Sequence, residues 1–255
     1  MTTVFNLSSS KIVIPARLSS TRLPEKLLLR ETGITVLEHT FRSASKALKP
    51  QGVVVAVDHA RLYHEVLQFG GTPMMTDPNA ASGTDRVAEV SLALPDIDIW
   101  INVQGDEPEI EANAIDRVLE ILIANPTASV ATLATPIRKK EDLEDPACVK
   151  VVCSHEGRAL YFSRSPIPYP RSWDDGLLMQ KPPVFLQHLG IYAYRREFLR
   201  ELPTLPMSPL ENTEKLEQLR FLQADHSIMV GLVPCATRGI DTRADYEAFV
   251  RRSKL

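Results

Sequence analysis

Lys11-Ile12-Val13-Ile14-Pro15 is a short β-rich run that stops at a proline, and the residues after it, 16–26, are polar and basic. Residues 35–48 then place apolar side chains at Val36, Leu37, Phe41, Ala44 and Leu48, with Thr40 beside Phe41, which is helical spacing. Gly52-Val53-Val54-Val55-Ala56-Val57 follows as a continuous apolar strand. Strand, helix and buried strand in this order form a βαβ unit, and such a unit commits its two strands to parallel pairing.

The alternation continues downstream. Helices are expected at 60–69, 84–94 and 112–124, with strands at 73–76, 97–103 and 129–135. A series of this kind folds as an α/β protein, an open and mostly parallel sheet sandwiched by helices. From residue 149 the period changes: 149–153, 159–162 and 188–194 read as strands without long helices between them. They are expected to form a smaller mixed-sheet subregion at about 149–205. Pro166, Pro168, Pro170, Pro182 and Pro183, with Trp173 and Gly176, make residues 165–183 a long loop, as a lid or an oligomer contact. A helix at 209–222, a strand at 228–233 and a helix at 242–250 close the chain. Residues 1–10 are expected to be a flexible tail and 11–255 a single domain.

With 255 residues, 44% of them hydrophobic, the chain can bury one large core. A net charge of -3 argues against a broad nucleic-acid surface, which needs clustered Lys and Arg. The longest apolar run in the first hundred residues, Val53–Val57, is far below the roughly 20 residues that span a bilayer, so no membrane segment is expected. Residues 1–10 lack the basic and apolar regions of a secretory signal, and a cytoplasmic location follows as the expectation. Cys148, Cys153 and Cys235 fit neither zinc nor redox spacing and read as reduced structural thiols.

Ligands of open parallel sheets gather outside the carboxyl ends of the strands, so the loops after the strands carry the chemistry. The loop after the first strand holds Arg17, Arg22 and Lys26 among Ser19, Ser20 and Thr21, a set suited to a triphosphate; a solvated basic loop is the plain alternative. It is not a Walker motif, since GxxxxGK[ST] is absent. Ser82-Gly83-Thr84-Asp85-Arg86 opens a helix and suits either a nucleoside contact or an ordinary N-cap by Ser82 or Thr84. Gln104-Gly105-Asp106 follows a strand directly, and an aspartate there is placed to hold Mg²⁺, which takes one or two carboxylates and completes its shell with phosphate oxygens and water. In Gly239-Ile240-Asp241-Thr242, Asp241 reads as a helix N-cap or as a second carboxylate near Asp106.

Taken together, IPARLSSTRLPEK, SGTDR, NVQGDEP, KVV, ALYFSRSPIPYPR, HLGIYAYR, LEQLR and GIDT closely resemble the 3-deoxy-manno-octulosonate (KDO) cytidylyltransferases, in order and over about residues 12–249. The resemblance implies a fold of the nucleotide-diphospho-sugar transferase type and transfer of CMP from CTP to KDO, giving CMP-KDO for lipopolysaccharide biosynthesis and pyrophosphate. It implies Arg17 and Lys26 on the triphosphate, Ser82 on the nucleoside, and Asp106 and Asp241 as Mg²⁺ ligands. Arg22, Gln104, Arg164, His188, Tyr192, Glu217 and Gln218 would hold the sugar acid. Arg suits its carboxylate and the others its hydroxyls, although His188 and Tyr192 on a strand also suit a core, and Glu217 and Gln218 a solvent-facing helix. Glu25 stands where the family usually has glycine, and Leu27 where proline is common. Rival readings are a cytidylyltransferase for sialic acid or a methylerythritol phosphate, and a binding regulator without turnover. A homodimer is the expected assembly.

Overall fold

The computed structural model describes residues 9–236 and 238–254. Among the described residues nine strands form one sheet: β1 (Ser10–Ala16), β2 (Val53–Val57), β3 (Thr72–Met75), β4 (Ile99–Asn102), β5 (Val130–Pro136), β6 (Lys150–Cys153), β7 (Ala159–Ser163), β8 (Leu186–Arg195) and β9 (Ile228–Leu232). The main path runs β3-β2-β1-β4-β8-β5-β9. The first four pair in parallel, as do β5 and β9, whereas β8 runs antiparallel between β4 and β5. The sheet is therefore mostly parallel and lies between helices, as the alternation of elements predicts.

The strand expected at 188–194 is longer and more central than its neighbours in sequence suggest. It is β8, an interior strand of the main sheet, and the β6–β7 hairpin hangs off it, through Lys150 opposite Gln187. Of the tail expected at 1–10, residues 1–8 lie outside the described residues; Ser10 is buried in β1, and Ser9 donates its backbone N–H to Asp98.

The strands alternate their side chains between two cores, the period of two that a pleated strand imposes. Ile12, Ile14, Val55 and Val57 face helices α1 (Val36–Ala44), α2 (Ala60–Gln68) and α4 (Ala112–Ala124), together with the closing helix 243–253. Val13, Val54 and Ala56 face the opposite way, towards α3 (Gly83–Ala93) and residues Phe198, Leu219 and Phe221. Each fully buried aliphatic side chain contributes roughly 1.5–3 kcal/mol.

Downstream of α4 the helices α5 (Lys140–Glu144), α6 (Arg196–Glu201), α7 (Pro209–Glu214) and α8 (Gln218–Gln223) are short, and the longer α9 (Arg243–Ser253) is the closing helix. The single helix expected over 209–222 is broken into α7 and α8 at Lys215, which adopts φ 53°. Arg164 takes the Glu214 and Lys215 carbonyls, which a continuous helix needs for its own amides, so tertiary bonds override helix propensity here. The proline-rich segment 165–183 is a loop containing one short 3₁₀ turn, Asp175–Met179, over a small satellite core of Ile137, Leu143, Cys148, Leu178 and Phe185. The three cysteines are free; Cys148 is buried, but Cys235 is exposed and supports no core. Among the described residues no helix is long and apolar enough to cross a membrane.

Candidate functional site

The carboxyl ends of β1 and β4 open into a cleft of about 490 Å³ lined by Arg17, Arg22, Lys26, Ser82, Gln104 and Asp106, among others. Residues from three of the four loops singled out in the sequence thus share one cavity, and Asp241 joins them through ion pairs. The Lys26 ammonium donates to Asp106 Oδ2, to the Ile240 carbonyl at 2.9 Å and to Asp241 Oδ1 at 3.2 Å. Its three N–H groups thus meet three acceptors. Arg22 reaches the same Asp241 oxygen at 2.9 Å, with two thirds of its side chain in solvent. Two cations and two carboxylates converge where the β1 loop meets the loop before α9.

Local structure explains why Asp241 is free for this. The cap of α9 is Thr242, whose hydroxyl accepts from Asp245 N while Asp245 accepts from Thr242 N. Asp241, one residue earlier, points its carboxylate at Lys26 and Arg22, so the reading of Asp241 as the cap gives way to Thr242. The same capping box occurs at α3, where Ser82 and Asp85 satisfy each other. Ser82 therefore holds both a cap and a place in the cleft wall. Gly105 is required by close packing: a Cβ there would meet the Pro15 carbonyl at 2.8 Å, so the Asp106 turn closes directly on the end of β1.

Three supporting residues were not singled out in the sequence. Arg86 is fully buried and donates to Thr76 Oγ1 at 2.8 Å, to the Asp77 carbonyl at 2.9 Å and to Asp58 at 3.3 Å. Asp58 accepts the Leu18 amide at 2.9 Å, which fixes the β1 loop against α3. Thr40 donates to the Gly105 carbonyl at 2.9 Å and pins the Asp106 turn to α1. The position of Arg86 inside SGTDR was their signal, but a buried cation has no periodicity to betray it. Arg17 lies across the cleft, its Nη2 donating to the Ala80 carbonyl at 3.1 Å.

Glu25, the departure beside Lys26, turns away from the cleft. Its carboxylate takes both terminal nitrogens of Arg61 on α2, the Nη2 bond at 2.8 Å, and this pairing lowers its pKa. Its backbone sits at φ 50°, a left-handed conformation that explains a usual glycine at this position.

A sequence profile described as Cytidylyltransferase matches residues 11–228. The 3-deoxy-manno-octulosonate cytidylyltransferase of Rhodopirellula baltica is 50% identical over 94% of this chain and 97% of its own length. That of Syntrophobacter fumaroxidans is 43% identical over 93% and 94%. The chain belongs to the 3-deoxy-manno-octulosonate cytidylyltransferase family. A solved CMP:2-keto-3-deoxy-manno-octonic acid synthetase complexed with CTP superposes with a TM-score of 0.89, is 40% identical, and covers 97% of this chain and 100% of its own. The 4-diphosphocytidyl-2C-methyl-D-erythritol synthase of Anaerococcus prevotii, 12% identical with a TM-score of 0.62 over 98% and 97% of the two chains, shares the fold alone.

In this member of the 3-deoxy-manno-octulosonate cytidylyltransferase family, the residues expected on the sugar side spread over four places. Gln104 and Arg22 line the cleft itself, and Gln104 Nε2 reaches the Gly190 carbonyl of β8 at 3.4 Å. His188 and Tyr192 follow on β8 with ring centroids 5.3 Å apart. Burial pushes the His188 pKa down to about 3, and its Nε2 meets Thr132 Oγ1 at 3.0 Å. Burial likewise raises the Tyr192 hydroxyl well above its usual range. Glu217 accepts the Thr84 hydroxyl at 2.6 Å, lines a neighbouring cavity of about 660 Å³ that shares Ser82, and has its pKa raised by burial. Gln218 is buried at the start of α8. Arg164 stands apart, its guanidinium held by the Glu214, Pro146 and Lys215 carbonyls.

Proposed function

We infer that this chain transfers CMP from CTP to the anomeric hydroxyl of KDO. The observation that carries the reading is the convergence of Arg17, Arg22, Lys26, Asp106 and Asp241 at the strand ends, in a chain so similar to a structure complexed with CTP. The sugar oxygen bonds to the α-phosphorus as the bond to the β-phosphate oxygen breaks, and pyrophosphate leaves. Arg17 and Lys26 neutralise the charge that grows on that leaving group, which is the larger part of catalysis in phosphoryl transfer.

Asp106 and Asp241 fit Mg²⁺, since both already share one cation and a metal bound through one or two carboxylates completes its shell from phosphate and water. When bound there, Mg²⁺ neutralises phosphate charge and acidifies the attacking hydroxyl. Lys26 is drawn from the two carboxylates by the triphosphate, which leaves them free for the metal. Gln104, His188, Tyr192, Glu217 and Gln218 orient the sugar hydroxyls, while Arg164 and Arg22 take its carboxylate. Arg17, Lys26 and Asp106 with Ser82 form the CTP side.

A homodimer and a cytoplasmic location belong to the same reading. The exposed apolar side chains Tyr169 and Met179 on the 165–183 loop, with Leu160 on β7, support a subunit contact there. Light scattering on the purified chain tests it. The reaction is tested by pyrophosphate release with CTP, KDO and Mg²⁺, each omitted in turn, with other nucleotides and sialic acid as controls. Release that needs all three supports the reading, and release with sialic acid in place of KDO overturns it.

A further inference from the structure

Lys150 is a fully buried cation that the chemistry above does not use. It opens β6 and is the point at which that strand pairs with both β7, through Ser163, and β8, through Gln187. Its ammonium donates to the carbonyls of Arg164 at 2.5 Å, Cys148 at 2.6 Å and Asp145 at 2.9 Å. Three N–H groups thus meet three neutral oxygens, the donor count of the charged form. Burial lowers the Lys150 pKa from its usual range, so the protein spends stability to keep a cation here.

What the ammonium holds is the main chain of Arg164. On the side-chain end, the Arg164 guanidinium bonds to Glu214 O at 2.6 Å, Pro146 O at 2.9 Å and Lys215 O at 3.4 Å, and its amide to Glu214 Oε2 at 2.8 Å. Pro146 lies inside the 145–148 segment whose Asp145 and Cys148 carbonyls Lys150 gathers, so Lys150 holds both that loop and the Arg164 main chain, and Arg164 holds the loop in turn. Among the described residues three of the five guanidinium N–H groups are used, and two remain for a carboxylate. The neighbouring Val149 carbonyl accepts the His188 amide at 2.8 Å, which ties the same corner to β8.

We propose that Lys150 is a positioning residue for the sugar acid, fixing the place from which Arg164 presents its two uncommitted N–H groups to the substrate carboxylate. The proposal rests on the assignment of Arg164 to that carboxylate. Lys150 touches no substrate, and its effect passes through Arg164.

The test is Lys150→Met, with Lys150→Gln, which retains neutral donors for the carbonyls, should the first not fold. KM for KDO should rise about tenfold or more, while KM for CTP and kcat stay within about twofold, because displacement of one binding group costs affinity for the group it binds. In an Arg164→Lys background the same substitution should add less than about twofold, since the two act as one unit. Equal losses towards both substrates, or additive effects, overturn the proposal. A second readout does not need turnover: the Arg164 Nε–H resonance, identified by its loss in Arg164→Lys, should shift and exchange faster with solvent in the Lys150 variants. Wild-type protein that binds and turns over no sugar acid overturns the functional reading instead, and an unchanged Nε–H signal overturns the positioning role in either case.

Discussion

The Lys26 ammonium donates to the Asp106 carboxylate, with Asp241 on the same nitrogen, so one side chain bridges the two acids assigned to the metal. On the proposed function Lys26 has two incompatible duties, closing the carboxylate pair in the free protein and neutralising phosphate in the loaded one. Lys26→Met should bind Mn²⁺ in the absence of nucleotide about tenfold more tightly, equivalent to about 1.4 kcal/mol, because the competing cation is gone. Electron paramagnetic titration of free Mn²⁺ measures this. Turnover should fall by roughly 10²–10³ in the same variant, the usual loss on removing one group that stabilises the transition state.

Asp106→Ala should lose roughly 10³-fold or more in kcat with little change in thermal midpoint. The abandoned ammonium retains the Ile240 carbonyl and Asp241, so no buried cation is orphaned. Calorimetry beside the pyrophosphate assay separates the two effects; a collapse of the midpoint would mean that Asp106 is chiefly structural.

Glu25→Gly should raise the thermal midpoint and leave turnover unchanged. Glycine removes the left-handed strain at φ 50°, and the Arg61 pair that it gives up is solvent-exposed on both sides. Glu25→Val keeps the strain, loses the pair and should lower the midpoint. Scanning calorimetry of both variants checks the sign.

Neutral His188 makes stability depend on pH. Its folded pKa of about 3 lies below the unfolded value near 6.5, so the unfolded chain takes up the proton first. Stability contributed by the neutral ring is complete above about pH 6.5 and falls as pH drops towards 3, by at most about 1.4 kcal/mol per unit. Urea titrations at several pH values should show this slope in the wild type and a shallower one in His188→Gln, the difference cancelling the carboxylates common to both.

The parallel half of the sheet was legible because Val53–Val57 and its neighbours carry their burial in their composition. The place of β8 was not, since an antiparallel strand between β4 and β5 depends on long-range pairing that no local pattern records. The break at Lys215 was hidden for the same reason: the partner that claims the Glu214 carbonyl lies 50 residues earlier. Within the cleft, charged loop residues after strands announced themselves, whereas Arg86 and Asp58, which brace those loops from inside, look like ordinary helix and turn positions in the sequence.

The central seat of β8 also sets the order in which the molecule can be assembled during synthesis. β1 to β4 have their partners by residue 102, but the open side of β4 must wait for a segment beginning at residue 186. Until then Ile99, Trp100, Ile101 and Asn102, all buried in the finished protein, present an unpaired apolar edge. The nascent chain is therefore most prone to aggregation after β4 has emerged and before β8 arrives, a vulnerability that follows from the route of the chain rather than from the stability of its final fold.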